Sequence, residues 1–222
     1  MQDKVLLITG AASESGMATA RAAAREGYQL VLAAHSQDAL DAISQELGPE
    51  NVVAVGIDTT SVQDQDSMVE QALEYFGRID AVFICPVNES CADGLGTSGA
   101  ETWRSMLMNH VYSIGLTIQA TLPALRKTRG HILLAGFSSG PSLVPGSMLN
   151  ITRWAIVGMG HSLRHELEGS GIHVTMIGPD TSNGGELSES TCSGMPGEPM
   201  QEMDIATAVS AILAETAANE NQ

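Results

Sequence analysis

The feature that most constrains this chain is the alternation of short apolar, β-branched runs with longer segments of helical period along most of its length. Runs at Lys4 to Thr9, Gln29 to Ala33, Asn51 to Val55, Ile79 to Ile84, Gly130 to Ala135 and Ile172 to Ile177 read as six strands. Segments at Gly16 to Glu26, Gln37 to Leu47, Val62 to Phe76, Thr102 to Arg126, Ser147 to Glu168 and Asp204 to Ala214 read as helices. Ser36 caps the second of them, and Thr60 or Ser61 the third. Such alternation predicts βαβ units and a parallel sheet. Most of the strands are almost wholly apolar, as expected where helices cover both faces. The expected fold is therefore α/β: a single doubly wound, Rossmann-like domain with a parallel sheet of six strands, a seventh being left open. The domain is placed at 1–215, with a lid-like loop at 181–203 and a flexible tail at 216–222.

Composition narrows the function classes. Apolar residues make up 43% of the 222 and aromatic residues only 4%, so the core must rest on Ala, Val, Ile, Leu and Met. The formal net charge is −16, and after Arg164 no Lys or Arg follows while ten Asp and Glu do. Nucleic-acid binding rests on cationic contacts to phosphate, so the balance argues against it, and against anionic membrane surfaces. The three cysteines, Cys85, Cys91 and Cys192, are too few and wrongly spaced for a metal site or a disulfide framework. No metal is expected. The first strand-like run lies close behind Met1, leaving no room for a signal peptide, and no apolar run reaches about 18 residues. A cytoplasmic protein is the expectation.

The turn between the first strand and first helix reads Thr9-Gly10-Ala11-Ala12-Ser13-Glu14-Ser15-Gly16, at the place where a dinucleotide fold cradles pyrophosphate. The loop resembles the Thr-Gly-x-x-x-Gly-x-Gly loop of the short-chain dehydrogenase/reductase family. The resemblance extends over nearly the whole chain: Asp58-Thr59 after the third strand, Glu101-x-Trp103 opening the central helix, Gly130-His131-Ile132, Ser162-Leu163-x-x-Glu166-Leu167, Ile172 to Pro179, and Asp204-Ile205-Ala206. It implies an oxidoreductase that binds NAD(P) through Gly10, Ser13, Glu14, Ser15, Gly16, His35, Asp58 and Thr59. It also implies a homodimer or homotetramer packed through the two long helices, where Ala155, Gly158, Gly160 and Ser162 would allow close approach. A homologous active subunit could complete the site.

The family's chemistry needs a Tyr acid/base tuned by a Lys one turn later, a Ser that orients the carbonyl, and an Asn in a proton relay. By spacing from Ser162-Leu163, the Tyr position holds Leu149 and the Lys position Arg153. The Ser position falls on Gly136 or Phe137, with Ser138 and Ser139 out of phase, and the Asn position on His110 beside Asn109. Leucine cannot move a proton. Tyr28, Tyr75 and Tyr112 are the only tyrosines, and none shares the helix of Arg153.

The cofactor loop departs as well. Glu14 stands where the family has its middle glycine. At about 5 Å and an effective dielectric near 20, each carboxylate–phosphate pair costs roughly 3 kcal/mol unless the side chain rotates into solvent. His35-Ser36 follows the second strand, without the Asp expected for NAD or the Arg expected for NADP; Ile84-Cys85-Pro86-Val87 replaces Asn-Asn-Ala-Gly, and Pro179-Asp180 replaces Pro-Gly.

Three functions follow as alternatives. The first is a pseudoenzyme that binds a ligand or partner in the old cleft. The second is an NAD(P)-dependent oxidoreductase with non-standard residues. The third is a non-redox enzyme using His110 and Arg153, with Asp180 nearby; Arg153 also resembles the arginine of the halohydrin dehalogenases, although their Tyr is missing. The competing structural roles are a helix histidine satisfied by a backbone carbonyl, an arginine paired with a neighbouring acid, and Cys85 and Cys91 as small packing residues. Met195, Met200 and Met203 are placed in core or interface packing, with contact to an apolar ligand as the alternative.

Overall fold

A computed structural model describes residues 4–86, 94–135, 148–177 and Val209. The chain opens with β1 (Val5–Thr9), whose five residues are all buried, and crosses over through α1 (Glu14–Arg25) to β2 (Gln29–Ala34). It continues through α2 (Gln37–Leu47), β3 (Val52–Gly56), α3 (Val62–Phe76) and β4 (Ala81–Ile84). The second half runs α4 (Ala100–Leu107), a π-helical segment (Met108–Tyr112), α5 (Ser113–Thr128), β5 (His131–Ala135), α6 (Met148–Glu166) and β6 (His173–Ile177).

All five strand pairings are parallel, and the order is β3-β2-β1-β4-β5-β6. This is the doubly wound Rossmann arrangement, in which the chain leaves β1 toward one edge, returns, and builds from β4 toward the other. Because side chains alternate across a strand, each strand supplies two cores. Leu7, Val31, Val82, Ile132 and Val174 meet Met68, Ile118 and Ile156 on one face. Leu6, Ile8, Leu32, Phe83 and Leu133 meet Ala20, Leu40 and Val209 on the other. Side chains of this size that are fully buried, such as Phe83 and Leu6, stabilise the fold by roughly 2 kcal/mol each. Met68, Met106, Met148 and Met176 are all buried, so these four methionines are packing residues.

Local chemistry sets the boundaries. Ser13, Ser36 and Ser61 cap α1, α2 and α3 by accepting from the N–H of Gly16, Ala39 and Asp64; the third cap is thus Ser61 and not Thr60. Helix α1 begins at Glu14, two residues before the expected Gly16, because the cap sits at Ser13. Helix α3 buries Gln65, Met68, Val69, Ala72 and Phe76, an i, i+3, i+4, i+7 stripe, and ends on Gly77 in the left-handed region at φ 76°. At the base of the sheet, the Asp80 carboxylate accepts from the Val5 N–H at 2.9 Å and from Arg78 at 2.5 Å. The Asp80 carbonyl accepts from the His131 N–H at 2.9 Å, so one residue ties β1, β4 and β5 together.

Two further expectations change. The helix expected over Thr102 to Arg126 starts at Ala100 and is interrupted by the π-helical turn. There the Ser113 N–H reaches back to the Met108 carbonyl, and the Ser113 hydroxyl takes the Asn109 carbonyl at 2.6 Å. A hydroxyl that bonds back onto its own helix competes with the regular ladder and permits the extra residue. Gly160, expected at a helix interface between subunits, instead faces β6: a Cβ there would run into the Met176 side chain. Gly158 and Ser162 are exposed. The expected loop at 181–203, the tail at 216–222 and most of the helix at Asp204 to Ala214 lie outside the described residues. Among the described residues, no helix is long and apolar enough to cross a membrane, and no group of three or more His, Cys, Asp or Glu could hold a metal ion.

Candidate functional site

The carboxyl ends of β1 and β4 lie side by side where the strand order reverses, and this switch point opens a crevice in folds of this kind. Gly10 leaves β1 with φ 66°. A Cβ on it would collide with the Cys85 carbonyl at the end of β4. Gly16 is equally constrained, since its Cβ would collide with the Gly10 carbonyl and stand 2.8 Å from the Ala11 Cα. Both glycines are therefore required by the tight passage from β1 into α1. Ser13 locks that passage. Its hydroxyl donates to the Gly10 carbonyl at 2.7 Å and accepts from the Gly16 N–H at 3.1 Å. The buried Cys85 thiol lies 3.7 Å from the same oxygen.

The N–H groups of Glu14 and Ser15 open α1 beyond the cap and have no intrahelical acceptor, as at any helix N-terminus. They form the anion-binding end of the helix. The loop thus fits a pyrophosphate in its backbone. The Glu14 side chain is exposed in this first turn, where the positive end of the helix favours its carboxylate.

Beyond β2, His35 is exposed, and the Ser36 hydroxyl is taken up by its cap on Ala39 at 3.4 Å. Beyond β3, the exposed Asp58 accepts from the Thr60 hydroxyl at 2.7 Å and from the Thr60 N–H at 2.8 Å. These bonds, the hydroxyl first, hold its carboxyl below the usual carboxylate range, and the nearby His35 adds to the effect. Thr59 follows, its carbonyl held by the Gln65 carboxamide at 2.9 Å. Gln65 and Asp64 were not picked out from the sequence; the signal available was a glutamine inside the apolar stripe of α3.

On the other side of the switch point, His110 is only 2% exposed within the π-helical segment. Asn109 beside it donates to the Ser105 hydroxyl at 3.3 Å. Arg153 is half-buried on α6, and burial lowers the pKa of its guanidinium. The segments bearing His110 and Arg153 pack against each other. Leu149 is half-buried one turn before Arg153, and its carbonyl accepts from the Thr152 hydroxyl at 3.0 Å. Tyr112 is 43% exposed. The expected site positions Gly136, Phe137, Ser138, Ser139 and Asp180, together with Cys91 and Cys192, lie outside the described residues.

Residues 4–191 match the family model described as short chain dehydrogenase. The chain belongs to the short-chain dehydrogenase family. Among its relatives are uncharacterized oxidoreductases of Staphylococcus saprophyticus, 32% identical over 81% of this chain and 74% of the relative, and of Listeria monocytogenes, 31% identical over 82% and 76%. Of solved structures, it resembles an alcohol dehydrogenase from Thermococcus sibiricus complexed with 5-hydroxy-NADP, at 26% identity and a TM-score of 0.78 over 95% of this chain and 90% of that one. It has the fold of a short-chain dehydrogenase/reductase from Burkholderia phymatum in complex with NAD, with a TM-score of 0.80 at 22% identity over 96% and 86% of the two chains. This short-chain dehydrogenase homologue is an oxidoreductase-like protein by descent.

Proposed function

We propose that this family member binds a nicotinamide adenine dinucleotide at the switch point but lacks the family's proton-donating chemistry. It then acts as a pseudoenzyme whose cleft serves to bind a ligand or partner. The observation that carries this reading is Leu149, set one turn before Arg153 at the position expected for the proton donor. An alkyl side chain neither gives nor takes a proton. Arg153 in place of lysine is no substitute, because a guanidinium remains charged across the working range of pH.

The backbone supports binding. The N–H groups of Glu14 and Ser15 would take the pyrophosphate, and Gly10 and Gly16 permit the close turn behind it. Asp58 and Thr59 would meet the adenine. A bound reduced dinucleotide supplies a hydride; this chain's described residues offer orientation and charge around it, and no tyrosine on α6 to protonate the product. The Glu14 carboxylate has open solvent into which to turn, which lowers the repulsion expected from the sequence. The non-redox reading through His110 and Arg153 has less support, since His110 is almost wholly enclosed. We further propose the cytoplasm as the location, a homodimer or homotetramer built on α5 and α6, and a single domain over residues 1–215.

Turnover tests the chemical half of this proposal. The purified protein is mixed with NADH or NADPH and a panel of aldehydes, ketones and β-keto esters, and absorbance of the reduced cofactor is followed. The expected result is no oxidation above the protein-free rate. Steady turnover that survives Leu149→Ala but is lost in His110→Ala would replace the proposal with catalysis by unusual residues.

A further inference from the structure

The first turn of α3 holds the turn that follows β3 from below, and it does so with a glutamine in an otherwise apolar position. Gln65 is 1% exposed and shares its stripe with Met68, Val69, Ala72 and Phe76. Its Nε2 donates to the Thr59 carbonyl at 2.9 Å, while its Oε1 is buried with no hydrogen-bond partner. Turning the carboxamide over would set Oε1 against the Thr59 carbonyl, so the hydrogen bond fixes its orientation. A buried acceptor without a partner is costly, and an apolar side chain would avoid that cost.

The bond acts on one particular peptide. The Thr59 carbonyl belongs to the same peptide unit as the Thr60 N–H, and that N–H donates to the Asp58 carboxylate at 2.8 Å. Gln65 and Asp58 therefore grip the two ends of the unit from opposite sides. The preceding peptide is held by the Ser61 N–H on the Asp58 carbonyl at 2.9 Å, and the Asp58 N–H is taken by Asp64 at 2.8 Å. The Thr60 N–H and hydroxyl both fall on Oδ1 of Asp58, so the second carboxylate oxygen, Oδ2, and the Thr59 N–H are left as the turn's acceptor and donor toward a ligand.

We infer that Gln65 is a positioning residue for this turn, holding the Thr59–Thr60 peptide so that Asp58 and the Thr59 N–H present a fixed acceptor–donor pair to an adenine ring. The adenine half of this inference rests on the dinucleotide reading above. Gln65 touches no ligand and acts only through the turn.

Gln65→Leu separates positioning from ordinary packing. The variant removes the donor and the unpartnered acceptor together, so its melting temperature is expected to stay at or above that of the parent protein. Hydrogen exchange in the ligand-free protein is expected to quicken at the Thr60 and Ser61 amides. The Kd for AMP is expected to rise about three- to tenfold, because a turn no longer held in place must be ordered on binding, with binding of nicotinamide mononucleotide unchanged. Exchange at Thr60 and Ser61 equal to the parent's would overturn the inference, as would a lowered melting temperature with an unchanged Kd for AMP. Gln65→Met, closer in length, takes the place of the leucine variant if that one does not fold. If the parent protein itself binds no AMP, the dinucleotide reading fails, and exchange in the free protein still decides whether Gln65 holds the turn.

Discussion

Gly10→Ala is expected to destabilise the protein by roughly 3 kcal/mol and to remove dinucleotide binding. Two costs add. The backbone at Gly10 is left-handed, with φ 66°, which a residue with a Cβ adopts only under strain. The new methyl would also be driven into the Cys85 carbonyl. That oxygen sits at the end of β4, where the Cys85 N–H bonds the Thr9 carbonyl at 3.3 Å, so neither partner can move without opening the β1–β4 pair. Urea unfolding measures the first effect and nucleotide titration of the still-folded fraction the second. Unchanged stability would mean that the turn from β1 into α1 is not as tight as described.

Acid is expected to weaken this fold through His131. The ring is 4% exposed at the start of β5, beside Thr175 at 2.8 Å and within 5.6 Å of the His173 ring on β6. Burial, with the repulsion of His173 added, lowers its pKa to about 4. In the unfolded chain a histidine titrates near 6.5. Between about pH 6.5 and pH 4 the unfolded chain therefore takes up a proton that the folded chain refuses. The stability present above pH 6.5 is lost as the pH falls through that window and levels off below about 4. The loss is on the order of 2–3 kcal/mol, somewhat below the full value of such a shift because the ring is not wholly sealed from solvent.

His131→Gln keeps a polar side chain without the titration. Urea midpoints at pH 7, 5.5 and 4.5 should fall more steeply in the parent than in the variant. Carboxylates common to both proteins cancel in the difference. Parallel curves would show that His131 takes its proton in the folded state without penalty.

Much of this architecture was legible because it depends on local patterns. The apolar runs at Val5, Gln29 and His131 could only be strands covered on both faces, and Ser36 marked the start of α2. The π-helical turn at Met108–Tyr112 was not legible, because Ser113 bonding back onto Asn109 depends on a choice between two acceptors that spacing does not reveal. Gly160 looked like a site of close approach between subunits, and only the position of Met176 on β6 shows that it serves the interior. The same limit applies to the site. Gly10 and Gly16 announced the tight turn that leads from β1 into α1. The grip of Gln65 on Thr59 joins two residues whose contact arises from the way α3 leaves β3.

The most direct test of the central claim is calorimetric titration of the purified protein with NADH and with NADPH. Saturable binding of at least one of them in the micromolar range, lost in Gly10→Ala, is the predicted result. No heat of binding up to about millimolar nucleotide would contradict it, and would show that the Glu14 carboxylate closes the cradle its backbone still forms.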